Sequence, residues 1–309
     1  MKLKLIIGIF ACWMSSELFA QQKQIQYLSG TDTKHTVQWD FFCTAGRNSG
    51  EWKKIEVPSC WEQQGFGNYN YGRDYKTNGK NARFFDEQGM YKYQFKIPAN
   101  WKGKDISIVF DASMTDTEVK INGKLAGAIH QGAFYRFKYD ITALLYFDKL
   151  NLLEATVSKM SADASVNNAE RLADYWVFGG IFRPVFLEAT PKQSIDYVGI
   201  DAKANGKFAI QVLIKGTTKN VTIITTITDV NRKVISTTKT LTSTPGSISL
   251  INMQVANIKT WTSETPNLYN ANVVLQDMAG KKLYELNEKF GSVPLRSGMG
   301  RAFTSMVYR

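Results

Sequence analysis

Histidine is nearly absent: the 309-residue chain has only His35 and His130. A Ser-His-Asp nucleophile needs a positioned histidine, and a catalytic zinc site draws on several His, Cys or carboxylate ligands. No His-x-x-x-His or Cys-x-x-Cys spacing occurs, and no Gly-rich phosphate loop. Both histidines are therefore read as surface or hydrogen-bonded positions. Cysteine is scarce too, with three in the chain. Cys12 falls in the N-terminal apolar run, which leaves Cys43 and Cys60. In an oxidising compartment these two can form one bridge. They can equally be free, buried thiols, since one bridge is not a disulfide framework. Membrane-length apolar runs are missing, which excludes a helical membrane span. Long helical periodicity is missing as well; only Ile141–Phe147 has the pattern of a helical turn or two. A (β/α)₈ barrel needs about 250 residues, and the β-rich material described next leaves no room for one.

The charge balance is 38 Lys+Arg against 27 Asp+Glu, a net +11. The surplus includes Arg296, Arg301 and Arg309 in a C-terminal stretch without an acid. Elsewhere the lysines are spread through strand-like segments, as on a solvated surface. No basic stripe or recognition motif accompanies them, so nucleic acid is not expected as a partner. The start reads as an export signal over residues 1–20. Lys2 and Lys4 precede the apolar run Leu5–Met14, and Leu18-Phe19-Ala20 supplies a small residue for cleavage. The mature protein is expected to be periplasmic or secreted.

From Tyr27 to Gly291 the chain reads as all-β. Tyr91–Ile97 alternates apolar and polar residues, the mark of a half-buried strand. Ile106–Phe110, Leu150–Val157 and Ile181–Leu187 are further strands. Thr117–Ile121 and Lys124–Gly127 flank Asn122-Gly123, which suits a type I′ turn because both central residues need positive φ. Short strands with turn signals point to a sandwich or jelly roll. After Ala189-Thr190-Pro191 the texture changes to Thr, Val and Ile. Strands are expected over Phe208–Ile214, Val221–Ile227, Val234–Leu241, Ser247–Val255, Asn270–Leu275 and Lys282–Glu288. That rhythm is the rhythm of an immunoglobulin-like sandwich.

No two carboxylates can be paired from sequence as a general acid and its partner. Aromatics say more. Trp39, Trp52, Trp61, Trp101 and Trp176 all fall in the first block, with Tyr69, Tyr71, Tyr75 and Tyr135. Aromatic faces stack on the C–H faces of sugars, although core packing is the commoner use of any one Trp. The segment from Asp174 to Val185 is more specific. Gly179-Gly180, between Trp176 and a strand, suggests a tight bend with positive φ, bracketed by Asp174 and Arg183.

Val57-Pro58-Ser59-Cys60-Trp61, Gly89-Met90-Tyr91, Val119–Gly123 and Trp176–Arg183 resemble, in this order, segments of glycoside hydrolase family 2, the β-galactosidase, β-glucuronidase and β-mannosidase group. Val57-Pro58-Ser59-Cys60-Trp61 is similar to its Val-Pro-x-x-Trp segment. Gly89-Met90-Tyr91 resembles a strand entry, and Val119–Gly123 its Asn-Gly hairpin. Trp176–Arg183 resembles its Trp-x-x-(Gly/Ser)-Gly-Ile-x-Arg. Trp261, Glu264, Pro266, Leu268 and Tyr269 resemble a second-domain motif, and Lys289-Phe290-Gly291 its closing Phe-Gly. The order of these motifs over Glu51–Gly291 carries the resemblance.

The resemblance implies a jelly-roll, galactose-binding-like domain over 21–190, then an immunoglobulin-like β-sandwich over 191–291. It also implies a TIM barrel with two catalytic glutamates, which this sequence does not contain. The chain then reads as the non-catalytic N-terminal part of an exported β-galactosidase-like enzyme, with a β-galactoside-like glycan and the barrel as partners. A free-standing carbohydrate-binding module and an adhesive two-sandwich protein are the alternatives. In the family, an Asp two positions before the motif Trp binds substrate and, in some members, sodium; Asp174 holds that position beside Trp176. An Asn after the Val-Pro-x-x-Trp segment also contributes, for which Asn70 is the nearest candidate and Asn68 is close. No cofactor is expected in this chain, and sodium belongs to the full-length enzymes. Residues 292–309 match nothing in the family's continuation. Under one synonymous coding, restoring a single base after Gly291 turns them into a family-like Phe-Arg followed by Ile-Tyr-Ile-Asn-Gly. They are expected to be an out-of-frame tail, with a divergent C-terminus as the alternative.

Overall fold

The computed structural model describes residues 22–74, 86–217, 219–242 and 248–293. The expected signal at 1–20, Tyr75, and residues 294–309 of the expected tail lie outside them. Lys23–Lys192 forms one compact unit, and the chain from Gln193 belongs to a second.

The first unit contains β1 (Gln24–Tyr27), β2 (Val37–Cys43), β3 (Trp52–Val57), β4 (Asn70–Tyr71), β5 (Gln88–Phe95), β6 (Asp105–Phe110), β7 (Asp116–Ile121), β8 (Lys124–Leu125), β9 (Phe137–Asp140), β10 (Asn151–Ser158), β11 (Trp176–Val177) and β12 (Val185–Thr190). Two antiparallel sheets form, in the orders β3-β2-β5-β10-β7-β8 and β1-β12-β6-β9. Period-2 patterning explains why they face each other. In β10, Asn151, Leu153, Ala155 and Val157 are buried and their neighbours half-buried. Leu153, Ala155 and Val157 join Trp39, Phe41 and Tyr91 from the same sheet and Ile106, Ile108, Phe110 and Leu187 from the other in one core. Each large side chain so buried contributes about 1.5–3 kcal/mol.

The expected hairpin is present: β7 and β8 pair across Asn122 and Gly123, at φ 53° and 78°. The strand expected from Ile181 starts instead at Val185. Pro184 has no N–H to give a ladder, and its carbonyl accepts the Asp111 N–H. The expected helical turn is a 3₁₀ turn at Thr142–Leu144. The helix α1 (Ala164–Glu170) had no signature. It buries only Glu170, so it has no apolar stripe, and it starts on an Asp163 side chain that caps the Ser165 N–H. Cys43 and Cys60 are both free thiols, and burial pushes the Cys60 thiol up to about 12.

The second unit holds β13 (Ser194–Ala202), β14 (Lys207–Lys215), β15 (Val221–Thr228), β16 (Val234–Thr242), β17 (Ile248–Gln254), β18 (Tyr269–Asp277) and β19 (Lys282–Phe290). Its two antiparallel sheets are ordered β13-β14-β17 and β16-β15-β18-β19. They close on a separate core that includes Ile210, Ile223, Val273 and Phe290. The motif residues serve this core: Tyr269 stacks on Phe290 at 5.7 Å, and a Cβ at Gly291 would press on Trp261. Ser292 is buried and its carbonyl accepts the Trp261 N–H at 2.7 Å. The architecture is all-β throughout, two sandwich units with little helix among the described residues.

Candidate functional site

Beside the two sheets of the first unit, β4 and β11 pair as a ladder of their own, Tyr71 opposite Trp176 and Asn70 opposite Val177. Each strand is only two residues long. The Gly pair ends β11 for two physical reasons. Gly180 sits at φ +124°, and a Cβ at Gly179 would overlap the Trp61 ring.

The ladder brings together the residues singled out in the sequence. Trp176 is 54% exposed and meets Tyr71 at 5.3 Å and Tyr69 edge-on at 5.8 Å. Tyr69 is 45% exposed, touches Phe178 at 6.0 Å and lies under the Arg47 guanidinium at 5.0 Å. Arg47 is held there by the carbonyls of Glu62, Phe66 and Gly67. The result is an open aromatic face braced by a cation. Asp174 lies at its edge, accepting the Tyr71 hydroxyl and pairing with Arg73. Hydrogen bonding to that carboxylate pushes the Tyr71 phenol up. Asn70 lies on the same ladder but is buried, 5% exposed, beneath the face. Asn68, two residues earlier, is half-buried and anchored by its backbone: its N–H donates to Glu87 at 2.7 Å, and its carbonyl accepts the Lys159 ammonium.

Asp174 is also the residue expected to take part in a sodium site. A guanidinium already pairs with its carboxylate, and among the described residues no three His, Cys, Asp or Glu side chains converge as metal ligands. Of the other aromatics, Trp39, Trp61 and Trp101 are core, whereas Trp52 is 45% and Tyr135 61% exposed. His35 pairs with Asp32 at the surface, and His130 bonds the Gly132 carbonyl and stacks on Phe137. Burial lowers the His130 imidazole below its ordinary range.

Sequence reasoning missed a buried ionic cluster under the ladder. Lys159 touches Glu62 at 2.7 Å and Glu87 at 3.0 Å, with all three side chains sealed from solvent. Burial pushes the Glu62 carboxyl up, against the opposing pull of Lys159. Nothing in spacing announces the cluster, because its members come from distant parts of the chain.

The family model for the sugar binding domain of family 2 glycosyl hydrolases matches residues 33–191, and a second model, for glycosyl hydrolases family 2, matches 193–292. The chain belongs to glycoside hydrolase family 2. This family 2 chain is 26% identical over 251 residues to a β-galactosidase of Clostridium acetobutylicum, a match covering 77% of the chain and 27% of that relative. It is 26% identical over 173 residues to a β-glucuronidase of Bacteroides fragilis, covering 53% of the chain and 21% of the relative. The fold matches a crystal structure of Bacteroides uniformis β-glucuronidase with a TM-score of 0.66 at 22% identity, over 88% of the chain and 32% of that structure. The chain thus spans about a quarter of the length of the curated relatives it matches.

Proposed function

We propose that this chain is the sugar-binding and immunoglobulin-like portion of an exported, periplasmic or secreted, β-galactosidase-like glycosidase. Its face of Tyr69, Tyr71 and Trp176 binds a β-galactoside-like glycan. The observation that carries this reading is the open pair Tyr69 and Trp176 beside the Asp174 carboxylate. The C–H face of a pyranose is apolar and fits an aromatic ring, while its hydroxyls need acceptors such as a carboxylate. Asp174 acts as a sugar-hydroxyl acceptor here, and Trp176 as the stacking platform. The buried Asn70 supports the ladder from below.

Retaining hydrolysis needs a general acid/base and a nucleophile in one cleft. Glu62 and Glu87 come together in this unit, but both are sealed from solvent around Lys159. Substrate cannot reach them. Bond cleavage is therefore assigned to a catalytic barrel domain, the partner of these two sandwich units.

The test is a titration of the purified chain with galactosides and longer β-galacto-oligosaccharides, followed by calorimetry and tryptophan fluorescence. Saturable binding is expected, weakened about tenfold (~1.4 kcal/mol) in Trp176→Ala. Equal binding by the variant would move the sugar site elsewhere. Turnover of an aryl glycoside by the chain alone would contradict the division between binding and chemistry.

A further inference from the structure

Lys159, Glu62 and Glu87 form a dry cluster of one ammonium and two carboxylates. Stability alone does not explain it. Replacing buried ion pairs by well-packed apolar groups is often neutral or stabilising. What the cluster touches is more telling. Glu87 Oε1 accepts the Asn68 N–H, and Lys159 Nζ donates to the Asn68 carbonyl, so both backbone groups of Asn68 end on the cluster. Glu62 accepts the Gly179 N–H on both oxygens, each at 3.1 Å. Arg171, itself 1% exposed, donates to the carbonyls of Lys159 and Phe178.

Asn68 lies two residues before β4, and Gly179 two residues after β11. The cluster thus grips the ladder at the entry of one strand and the exit of the other. A two-stranded ribbon is marginal by itself in water, and this one has two residue pairs. We propose that Lys159, with Glu62 and Glu87, is a positioning device for the aromatic face: it fixes Asn68 and Gly179, and so holds Tyr69, Tyr71 and Trp176 in register before any ligand arrives. A face ordered in advance loses less freedom on binding. The benefit to binding rests on the sugar reading above; the positioning itself does not.

The experiment compares the full chain with a charge-free triple variant, Lys159→Met, Glu62→Gln and Glu87→Gln, by amide hydrogen exchange and mass spectrometry. The triple variant is expected to melt cooperatively and to keep the protection of core segments 106–110 and 153–157. Segments 67–72 and 174–180 are expected to exchange at least tenfold faster, and β-galacto-oligosaccharide to bind about tenfold more weakly. A folded triple variant with wild-type protection in both site segments overturns the proposal. Should the triple variant not fold, Glu87→Ala decides instead, because it leaves a one-to-one Lys159–Glu62 pair. It should loosen 67–72, which Glu87 grips through Asn68, and wild-type protection of that segment overturns the proposal. A wild-type chain that binds no glycan defeats the sugar reading, while the exchange result still decides the positioning role.

Discussion

Glu62 shows how one buried atom pair sets a pH response. Its carboxyl lies above its ordinary value of 4.5 because burial disfavours the charge more than Lys159 and the Gly179 N–H favour it. An acid raised in the folded state contributes stability that is fully present below the unfolded value and lost as pH rises through the folded one. Glu62→Gln keeps the neutral form at every pH and leaves Lys159 paired with Glu87 alone. The melting temperature of the variant should exceed that of the wild type at pH 8, with the gap narrowing as pH falls toward 4.5. A gap that stays constant across this range in a series of thermal melts would show that Glu62 does not titrate in this way. Ser292 offers a contrast at the same scale. Its hydroxyl is buried without a hydrogen-bond partner, and a stranded polar group of this kind costs about 1–3 kcal/mol.

At the scale of elements, the β4–β11 ladder depends on a close approach of backbone to ring. A Cβ at 179 has nowhere to go against Trp61, which is itself at 0% exposure. Gly179→Ala is expected to lower stability by about 1–3 kcal/mol and to blunt the aromatic near-UV circular dichroism. Urea titration of the variant checks the first, and an unchanged midpoint would mean that the chain end of β11 gives way without cost. The Gly pair was legible in the sequence because it interrupts a Trp-to-strand passage, and Asp174 and Trp176 were legible with it. Strands such as β5, β10 and β15 were legible because one buried face forces alternation. α1 was not, since a helix with one buried residue carries no period. Lys159, Glu62 and Glu87 were not legible either, because the contacts that define their role join residues 19 to 117 positions apart. Arg47 escaped because it is held against Tyr69 by three carbonyls 15 to 20 positions away, which no local pattern marks. Asn70 was found by proximity in sequence; it lies on the ladder and is 5% exposed.

At the scale of the whole molecule, each unit closes a hydrophobic core of its own. A stretch of about a hundred residues with a complete core is of the size that folds independently. Residues 193–293, expressed alone, should give a single cooperative melt with a β-type far-UV spectrum. A broad, probe-dependent transition would show that the second core needs the rest of the chain. The first unit has a different temporal character. Tyr71 reaches Asp174 across 103 positions, and such distant contacts form only after the intervening chain has been drawn in. The aromatic face exists only once β4 and β11 have been brought together across that span, so a chain that displays it has closed this long loop. Ligand capture by this face would report chains in which β4 and β11 have met, which makes it a handle for separating them from chains in which that loop is still open.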